Sequence, residues 1–306
     1  MTETFDHSPP SSSNTPSSSY IGRFAPSPSG PLHLGSLVAA LASWLDARQA
    51  NGRWLLRMED LDPPRESCEA ADSILFALDS LGLYWDGPVL YQSSRYAAYR
   101  EAIGQLQAKG LVFACDCTRQ QLQDYDGIYP GTCRNRNLLD GEGLALRCIV
   151  ADHTIAFSDA LQGYQSQHLA DAVGDFIIRR KDGLFAYQLA VVVDDAFQGV
   201  THVVRGIDLL DSTARQIYLQ QQLSCPTPCY AHIPVIINDQ GQKLSKQHMA
   251  EGIKPEEQGA LLYSALLYLQ QNPDPDLQYA EAKDVLDWAI EHWSPLALTN
   301  LKTLTE

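Results

Sequence analysis

No run of eighteen apolar residues occurs anywhere in the 306-residue chain, so nothing in it has the length and character of a transmembrane helix. The opening residues, Met1-Thr2-Glu3 followed by Ser and Pro, lack the basic start and apolar stretch of an export signal. A disulfide framework is missing too: the seven cysteines are an odd number, and two of them form a Cys-x-Cys knuckle. In a chain of this length without an export signal, such thiols are reduced or bind metal, and a cytoplasmic location is expected. Neither standard glycine-rich phosphate cradle is present, since no Walker A loop occurs and no Gly-x-Gly-x-x-Gly follows a strand. What remains is ordinary globular material. Hydrophobic residues are 45%, charged residues 19%, with 20 Gly and 17 Pro. Those values exclude a collagenous, coiled-coil or wholly disordered chain and leave roughly two domains' worth of core-forming sequence.

The net charge of −15 argues superficially against a nucleic-acid partner. Its distribution removes the objection. Residues 1–19 carry −2 and residues 251–306 carry −7, which leaves the middle, 20–250, mildly negative with 19 basic and 25 acidic residues. A phosphate-binding face fits there as well as on a neutral protein.

Residues 1–19 are rich in Ser and Pro and almost devoid of apolar content, the composition of a disordered leader. Tyr20 to Ala25 alternates as a strand, and Pro26-Ser27-Pro28-Ser29-Gly30-Pro31 is a rigid loop. Leu34, Leu37, Val38, Leu41 and Leu45 then recur at helical spacing until Asn51-Gly52. A strand follows at Arg53 to Met58 and a helix at Glu69 to Leu81, the opening of an α/β, Rossmann-like parallel sheet. The alternation breaks over 86–186, which holds a helix at Ser94 to Lys109, the cysteine knuckle, and strands at Gly143 to Val150 and Phe176 to Arg179. That stretch is expected to be an inserted α/β domain. Parallel-sheet strands are expected again at Leu189 to Val193, Thr201 to Val204 and Ile233 to Ile237, with a helix at Asp208 to Gln222 and a turn at Asn238 to Gly241. The catalytic domain is thus 20–85 with 187–250, and 251–306 is a short acidic helical region.

Three places carry candidate chemistry. The first is the proline loop leading into Leu32-His33-Leu34-Gly35-Ser36 at a helix start. A helix N-terminus offers unpaired N–H groups and partial positive charge; His33 and Ser36 add polar groups, and Gly35 lets a planar ring approach the backbone. A capped core helix with an incidental histidine fits the same residues. The second is Lys243-Leu244-Ser245-Lys246, two lysines three apart beside Gly241, suited to clamp a polyphosphate or equally to be a solvated loop. The third is Cys115-x-Cys117 with Tyr129 and Cys133. Three thiolates suit tetrahedral zinc with one position to fill, for which Asp116, Asp124, Asp126 or His153 are chemically easier than a phenol; three buried free cysteines are the other reading. Cys225-Pro-Thr-Pro-Cys229 has no third ligand nearby, and Cys68 and Cys148 are core or surface thiols.

Taken together, these blocks resemble a class I aminoacyl-tRNA synthetase of the glutamyl/glutaminyl branch. Arg23-Phe24-Ala25-Pro26-Ser27-Pro28-Ser29-Gly30-Pro31-Leu32-His33-Leu34-Gly35-Ser36 looks like its HIGH motif and Lys243-Leu244-Ser245-Lys246 its KMSKS motif. Arg57-Met58-Glu59-Asp60-Leu61-Asp62, Val192-Val193-Asp194-Asp195 and Val204-Arg205-Gly206 match further blocks, in order across 20–250. The resemblance implies ATP with Mg²⁺, glutamate readers Arg23, Ala25, Ser27, Glu59, Tyr187 and Arg205, ATP contacts at His33, Gly35 and Lys246, and charge stabilisation by His33, Ser36, Lys243 and Lys246. Within the branch, Cys115, Cys117, Tyr129 and Cys133 are spaced like the single structural zinc site of the glutamyl-queuosine tRNA(Asp) synthetases.

Two departures from tRNA 3′-end charging enzymes point the same way. Only 56 residues follow Ala250, less than an anticodon-binding domain of about a hundred residues, and Val191 stands where discriminating glutamyl enzymes carry Asn. The expected activity is therefore ATP-dependent activation of L-glutamate without tRNA, then transfer to queuosine at the first anticodon position of tRNA(Asp), by a monomer with no membrane partner. The rivals are a truncated synthetase charging a tRNA 3′ end and a non-catalytic RNA-binding paralogue. For Glu59, a structural ion-pair cluster with Asp60, Asp62, Arg57 and Arg65 is the competing reading.

Overall fold

The computed structural model describes residues 20–125, 127–150, 152–237 and 257–305. The chain opens with β1 (Ile21–Phe24), α1 (Leu34–Gln49), β2 (Arg53–Met58), α2 (Cys68–Ser80) and β3 (Leu90–Tyr91). Next come α3 (Tyr96–Ala108), β4 (Val112–Cys115), β5 (Ala145–Cys148), β6 (Thr154–Asp159), β7 (Gly163–His168), α4 (Leu169–Ala172) and β8 (Phe176–Arg179). The remainder is α5 (Tyr187–Gln198), β9 (His202–Gly206), α6 (Leu210–Leu223), β10 (Cys229–Ile233), β11 (Val235–Ile237), α7 (Gln258–Tyr268), α8 (Ala282–His292) and β12 (Thr303–Thr305).

β1, β2 and β3 form one parallel sheet, with Ile21 opposite Arg53 and Arg57 opposite Leu90. β9, β10 and β6 run parallel in a second sheet, to which β7 adds an antiparallel edge. The sheets meet where the Thr201 N–H donates to the Ile21 carbonyl at 2.9 Å. Parallel strands are covered on both faces, which explains why every residue of β2 except Arg53 is buried. α1 is buried nearly all round from Leu37 to Leu45, because the strands lie on one side and α7 and α8 on the other. Trp293 ties that layer down, its indole N–H donating to Asp46 at 3.1 Å and its carbonyl accepting from Gln49 at 2.7 Å. Residues 257–305 hold α7 and α8 and return a strand, β12, to β11.

The stretch 86–186 holds a separate antiparallel sheet, β4-β5-β8, beside α3. It also holds β6 and β7, which pair into the second sheet through Tyr230 and Asp159. Two strand expectations are corrected. Leu189 to Val193 lies in α5, buried on several faces at once and stopped by Gly199 at φ 68; a continuous apolar run has no period to separate a buried helix from a buried strand. Ile233 to Ile237 is two strands parted by Pro234, which has no N–H for a ladder. The expected leader and the turn at Asn238 to Gly241 lie outside the described residues. Among the described residues, no helix is long and apolar enough to cross a membrane.

Gly259 at the start of α7 shows how closely the last layer docks. A Cβ there would sit 2.0 Å from the Ala280 carbonyl oxygen. Gly259→Ala is expected to lower stability by about 1–3 kcal/mol or more, since backbone cannot yield as a flexible side chain does. Denaturant melts check it; an unchanged midpoint would show that α7 and the 280 segment shift freely.

Candidate active site

A cavity of about 760 Å³ opens at the seam between the two parallel sheets. From β1 the chain runs through α1 to β2 on one side; from β9 it runs through α6 to β10 on the other. The strand order therefore reverses between β1 and β9, and ligand crevices in open α/β sheets lie beyond the strand C-termini at such a reversal. Arg23 and Phe24 end β1 there, and Val204, Arg205 and Gly206 end β9. The proline loop and the first turn of α1 form the floor. His33 is the N-cap of α1: Nδ1 accepts the Ser36 N–H at 3.2 Å, and Nε2 lies 2.8 Å from the Ser36 hydroxyl. The capping residue thus also faces the cavity, at the positive end of a 16-residue helix.

Three arginines are buried here, and their partners divide their roles. Arg57 is fully buried; one terminal nitrogen donates to Asp195 at 2.7 Å and Gln198 at 2.8 Å, and the other reaches Glu59 at 3.4 Å. Arg23 gives only its Nε–H to Asp195, at 3.4 Å, so its two terminal nitrogens have no protein acceptor among the described residues. Arg205 donates from Nε to His232 at 3.0 Å, to Thr213 at 2.8 Å, to the Tyr187 hydroxyl at 3.4 Å and to the Leu209 carbonyl at 3.4 Å. Burial pushes the Glu59 carboxyl above its usual value, opposed by Arg57 and Arg23. Burial also acts to raise Asp195, but Arg57 and Arg23 outweigh it and hold that carboxyl below its usual range. Burial raises the Tyr187 phenol. The cavity wall thus presents two guanidinium groups, Arg23 and Arg205, and two carboxyl side chains, Glu59 and Asp208.

Nine residues marked in the sequence, Arg23, Ala25, Ser27, His33, Gly35, Ser36, Glu59, Tyr187 and Arg205, line this one cavity. Lys243 and Lys246 lie outside the described residues. Val191 is a core residue of α5, off the cavity wall. The competing ion-pair cluster splits: Arg65 pairs with Asp62 and Asp60 caps Ser93, while Arg57 leans on Asp195 more closely than on Glu59. Sequence reasoning matched Asp195 to a block without giving it a role and passed over His232 and Asp159; two buried acids at the end of an apolar helix were the available signal for the first.

The cysteine knuckle forms a second, separate cluster. The sulfurs of Cys115, Cys117 and Cys133 lie within 4.8 Å of one another, and the group could hold a metal ion. The Tyr129 hydroxyl sits 3.5 Å from Cys115 Sγ and 3.7 Å from Cys117 Sγ, and accepts the Cys133 N–H at 2.8 Å. Asp116 approaches Cys133 at 3.2 Å but is engaged by Arg136 at 2.7 Å. Burial acts to raise Cys115, yet the Tyr129 hydroxyl and Arg147 bring it down to about 7.

The model of the tRNA synthetases class I (E and Q) catalytic domain matches residues 21–259. A glutamyl-Q tRNA(Asp) synthetase of Pseudomonas putida is 54% identical over 289 residues, covering 94% of this chain and 96% of the relative. Relatives of the same name from Ectopseudomonas mendocina and Pseudomonas aeruginosa are 53% and 50% identical, with 97% and 98% of their lengths covered. The chain belongs to the glutamyl-Q tRNA(Asp) synthetase family, within the class I tRNA synthetases. A crystal structure of a glutamate tRNA ligase from Elizabethkingia meningosepticum in complex with its amino acid shares the fold. Its TM-score is 0.75 at 22% identity, over 92% of this chain and 66% of that one. Family membership accounts for the strand–loop–helix entrance.

Asp195 should be the most costly single carboxylate to remove. Asp195→Asn leaves Arg57 and Arg23 facing each other in a buried site, an expected loss of about 3–5 kcal/mol in denaturant melts. A carboxyl held low in the folded state stabilises fully at neutral pH and loses that contribution as pH falls through its folded value. The gap between wild type and variant should therefore be complete at pH 7 and narrow below about pH 4. A gap independent of pH would show that the charge is not what Asp195 contributes.

Proposed function

We propose that this protein activates L-glutamate with ATP, without tRNA, and transfers the glutamyl group to the queuosine base at the first anticodon position of tRNA(Asp). The observation that carries the reading is the cavity wall itself, which brings Arg23, Arg205, Glu59 and Asp208 together beside a helix N-terminus. Glutamate has two carboxylates and one ammonium, and guanidinium pairs well with carboxylate. Arg23 and Arg205 read the carboxylates, Glu59 takes the ammonium, Tyr187 supplies a hydroxyl and a wall, and Ala25 and Ser27 line the loop. A substrate oxygen of glutamate attacks the α-phosphorus of Mg²⁺-bound ATP, the bond to the β-phosphate breaks, and pyrophosphate leaves. His33, Ser36, Lys243 and Lys246 stabilise charge on the phosphates, and His33, Gly35 and Lys246 contact ATP. A hydroxyl of the queuosine cyclopentenediol then attacks the acyl carbon and AMP departs. The relatives' name supports this acceptor. The protein acts as a cytoplasmic monomer.

With glutamate and ATP alone, pyrophosphate exchange should proceed, and glutamine should substitute poorly because an amide leaves a buried guanidinium unpaired. Labelled glutamate should appear on tRNA(Asp), stay with its anticodon fragment after nuclease removal of the acceptor end, and be absent from tRNA lacking queuosine. Label on the terminal adenosine of tRNA(Glu) would instead identify an enzyme that charges 3′ ends.

The knuckle is proposed to hold one structural zinc through Cys115, Cys117, Cys133 and Tyr129. Zinc–sulfur bonds of about 2.3 Å make a tetrahedron with edges of about 3.7 Å. The Cys117–Cys133 separation of 3.5 Å and the Tyr129 distances suit that size. Arg147, 3.3 Å from Cys115 Sγ with its guanidinium 3.8 Å over the Tyr129 ring, offsets the negative donor set. The metal's contribution there is to fix the fold of the β4 end. Metal analysis should find about one zinc per chain; Cys133→Ser should lose it and keep glutamate-dependent exchange, because none of the four residues lines the cavity. Metal-free protein from chelator-free preparation would remove the site.

A further inference from the structure

β9 and β10 pair in parallel with His232 opposite Arg205, so the two side chains share one sheet face. His232 is fully buried, and both of its ring nitrogens are engaged: Nε2 lies 3.0 Å from Arg205 Nε, and Nδ1 lies 2.5 Å from Asp159 Oδ2. A guanidinium nitrogen only donates, so Nε2 must be the bare, accepting nitrogen and the proton must sit on Nδ1, given to Asp159. We propose that His232 is a positioning residue for Arg205, held by Asp159 in the tautomer whose Nε2 accepts the Arg205 Nε–H. This inference rests on the reading of Arg205 as a glutamate carboxylate reader.

The carboxylate that sets the tautomer is itself locked. Asp159 Oδ1 accepts three backbone N–H groups, from Leu161 at 3.0 Å, Gln162 at 2.9 Å and His232 at 3.2 Å. Only Oδ2 is left for the imidazole. On the other side, Thr213 bridges the pair, 2.8 Å from an Arg205 terminal nitrogen and 3.2 Å from His232 Nε2. The protein acceptors account for four of the guanidinium's five N–H donors, which leaves the remaining donor of the nitrogen bound to Tyr187 for the cavity. An arginine held on this many sides keeps one aim. Strand, acid, imidazole and guanidinium form a chain that starts in β6 and ends at the substrate cavity.

The charged and titratable groups around His232 come from every element it meets: Asp159 from β6, Arg205 from β9, Tyr187 from α5 through Arg205, and Tyr230 on its own strand, with Arg23 of β1 beyond. Burial keeps the imidazole below its usual value, joined by Arg205 and Arg23 and opposed by Asp159. His232 is therefore neutral at pH 7. Protonation would put an N–H on Nε2 against the Arg205 N–H and turn the guanidinium off its aim, so glutamate affinity should fall as pH drops through the folded value.

The test is pyrophosphate exchange by the full chain with glutamate and ATP varied in turn, on Asp159→Asn, His232→Gln and Arg205→Ala. In Asp159→Asn the amide oxygen is claimed by the three backbone N–H groups, so the amide nitrogen faces Nδ1, donates to it, and forces the proton onto Nε2. Glutamate KM should rise about tenfold or more while ATP KM stays within about twofold, the scale of one charge-assisted hydrogen bond. Glutamine at 232 can accept from Arg205 and donate to Asp159. His232→Gln should accordingly keep glutamate KM within a few-fold of wild type and flatten the acid-side rise in KM expected of wild type, which sets in below the ordinary imidazole value of about 6.5 because burial lowers His232. Wild-type glutamate KM in Asp159→Asn, with or without a lowered melting temperature, would overturn the proposal and leave the pair a strand staple. Should that variant not fold, His232→Gln decides: a flattened profile supports the proposal and an unchanged acid rise overturns it. Arg205→Ala without effect on glutamate KM would overturn the underlying reading of Arg205, a separate result.

Discussion

Charge balance at the seam governs this architecture. Arg23, Arg57 and Arg205 end or nearly end three parallel strands, and all three are buried. An uncompensated charge in such a place costs several kcal/mol, and no strand neighbour supplies a carboxylate to all of them. Asp195 serves Arg57 and Arg23 from α5, a helix lying across the strand ends, while Arg205 is held by His232, Thr213, Tyr187 and the Leu209 carbonyl. Arg57 is consumed by that arrangement, with partners on both terminal nitrogens. Arg23 is tethered only by its stem side, so its terminal nitrogens remain available to a ligand. The same acid therefore makes one arginine structural and prepares another for binding.

The seam concentrates the other polar resources of the fold. The N-terminus of α1, the end of β9 and the carboxylate of Glu59 converge on one cavity, although they come from segments far apart along the chain. Under the proposed function, these groups orient substrates and place fixed charge around them. The cysteine knuckle contributes to none of this. It closes the far end of the antiparallel sheet β4-β5-β8, where a small core around Cys115, Cys133 and Tyr129 stands apart from the two larger ones.

Much of this was legible in the residues. The proline loop between an alternating strand and a helical repeat placed β1 and α1, because proline excludes itself from helix interiors and central strands whatever the tertiary context. Cys-x-Cys with a third cysteine marked the knuckle, because short spacing alone keeps those thiols near one another. The block resemblance named nine residues that now surround a single cavity.

Other features had no local signal. Leu189 to Val193 reads equally as strand or helix, since burial on all sides erases the period that separates them; only the neighbours of α5 decided it. Pro234 divides what hydrophobicity alone joins into one strand. The partners of the arginines are the clearest case, for Asp195 is 138 residues from Arg57 and His232 is 73 from Asp159. By itself the sequence determined the opening strand–loop–helix and which residue types meet in short loops, because those follow from backbone chemistry within a few residues. Which acid neutralises which arginine, and which nitrogen of His232 carries the proton, was decided only when strand order brought distant segments side by side, because charge pairing depends on distance in space and on burial.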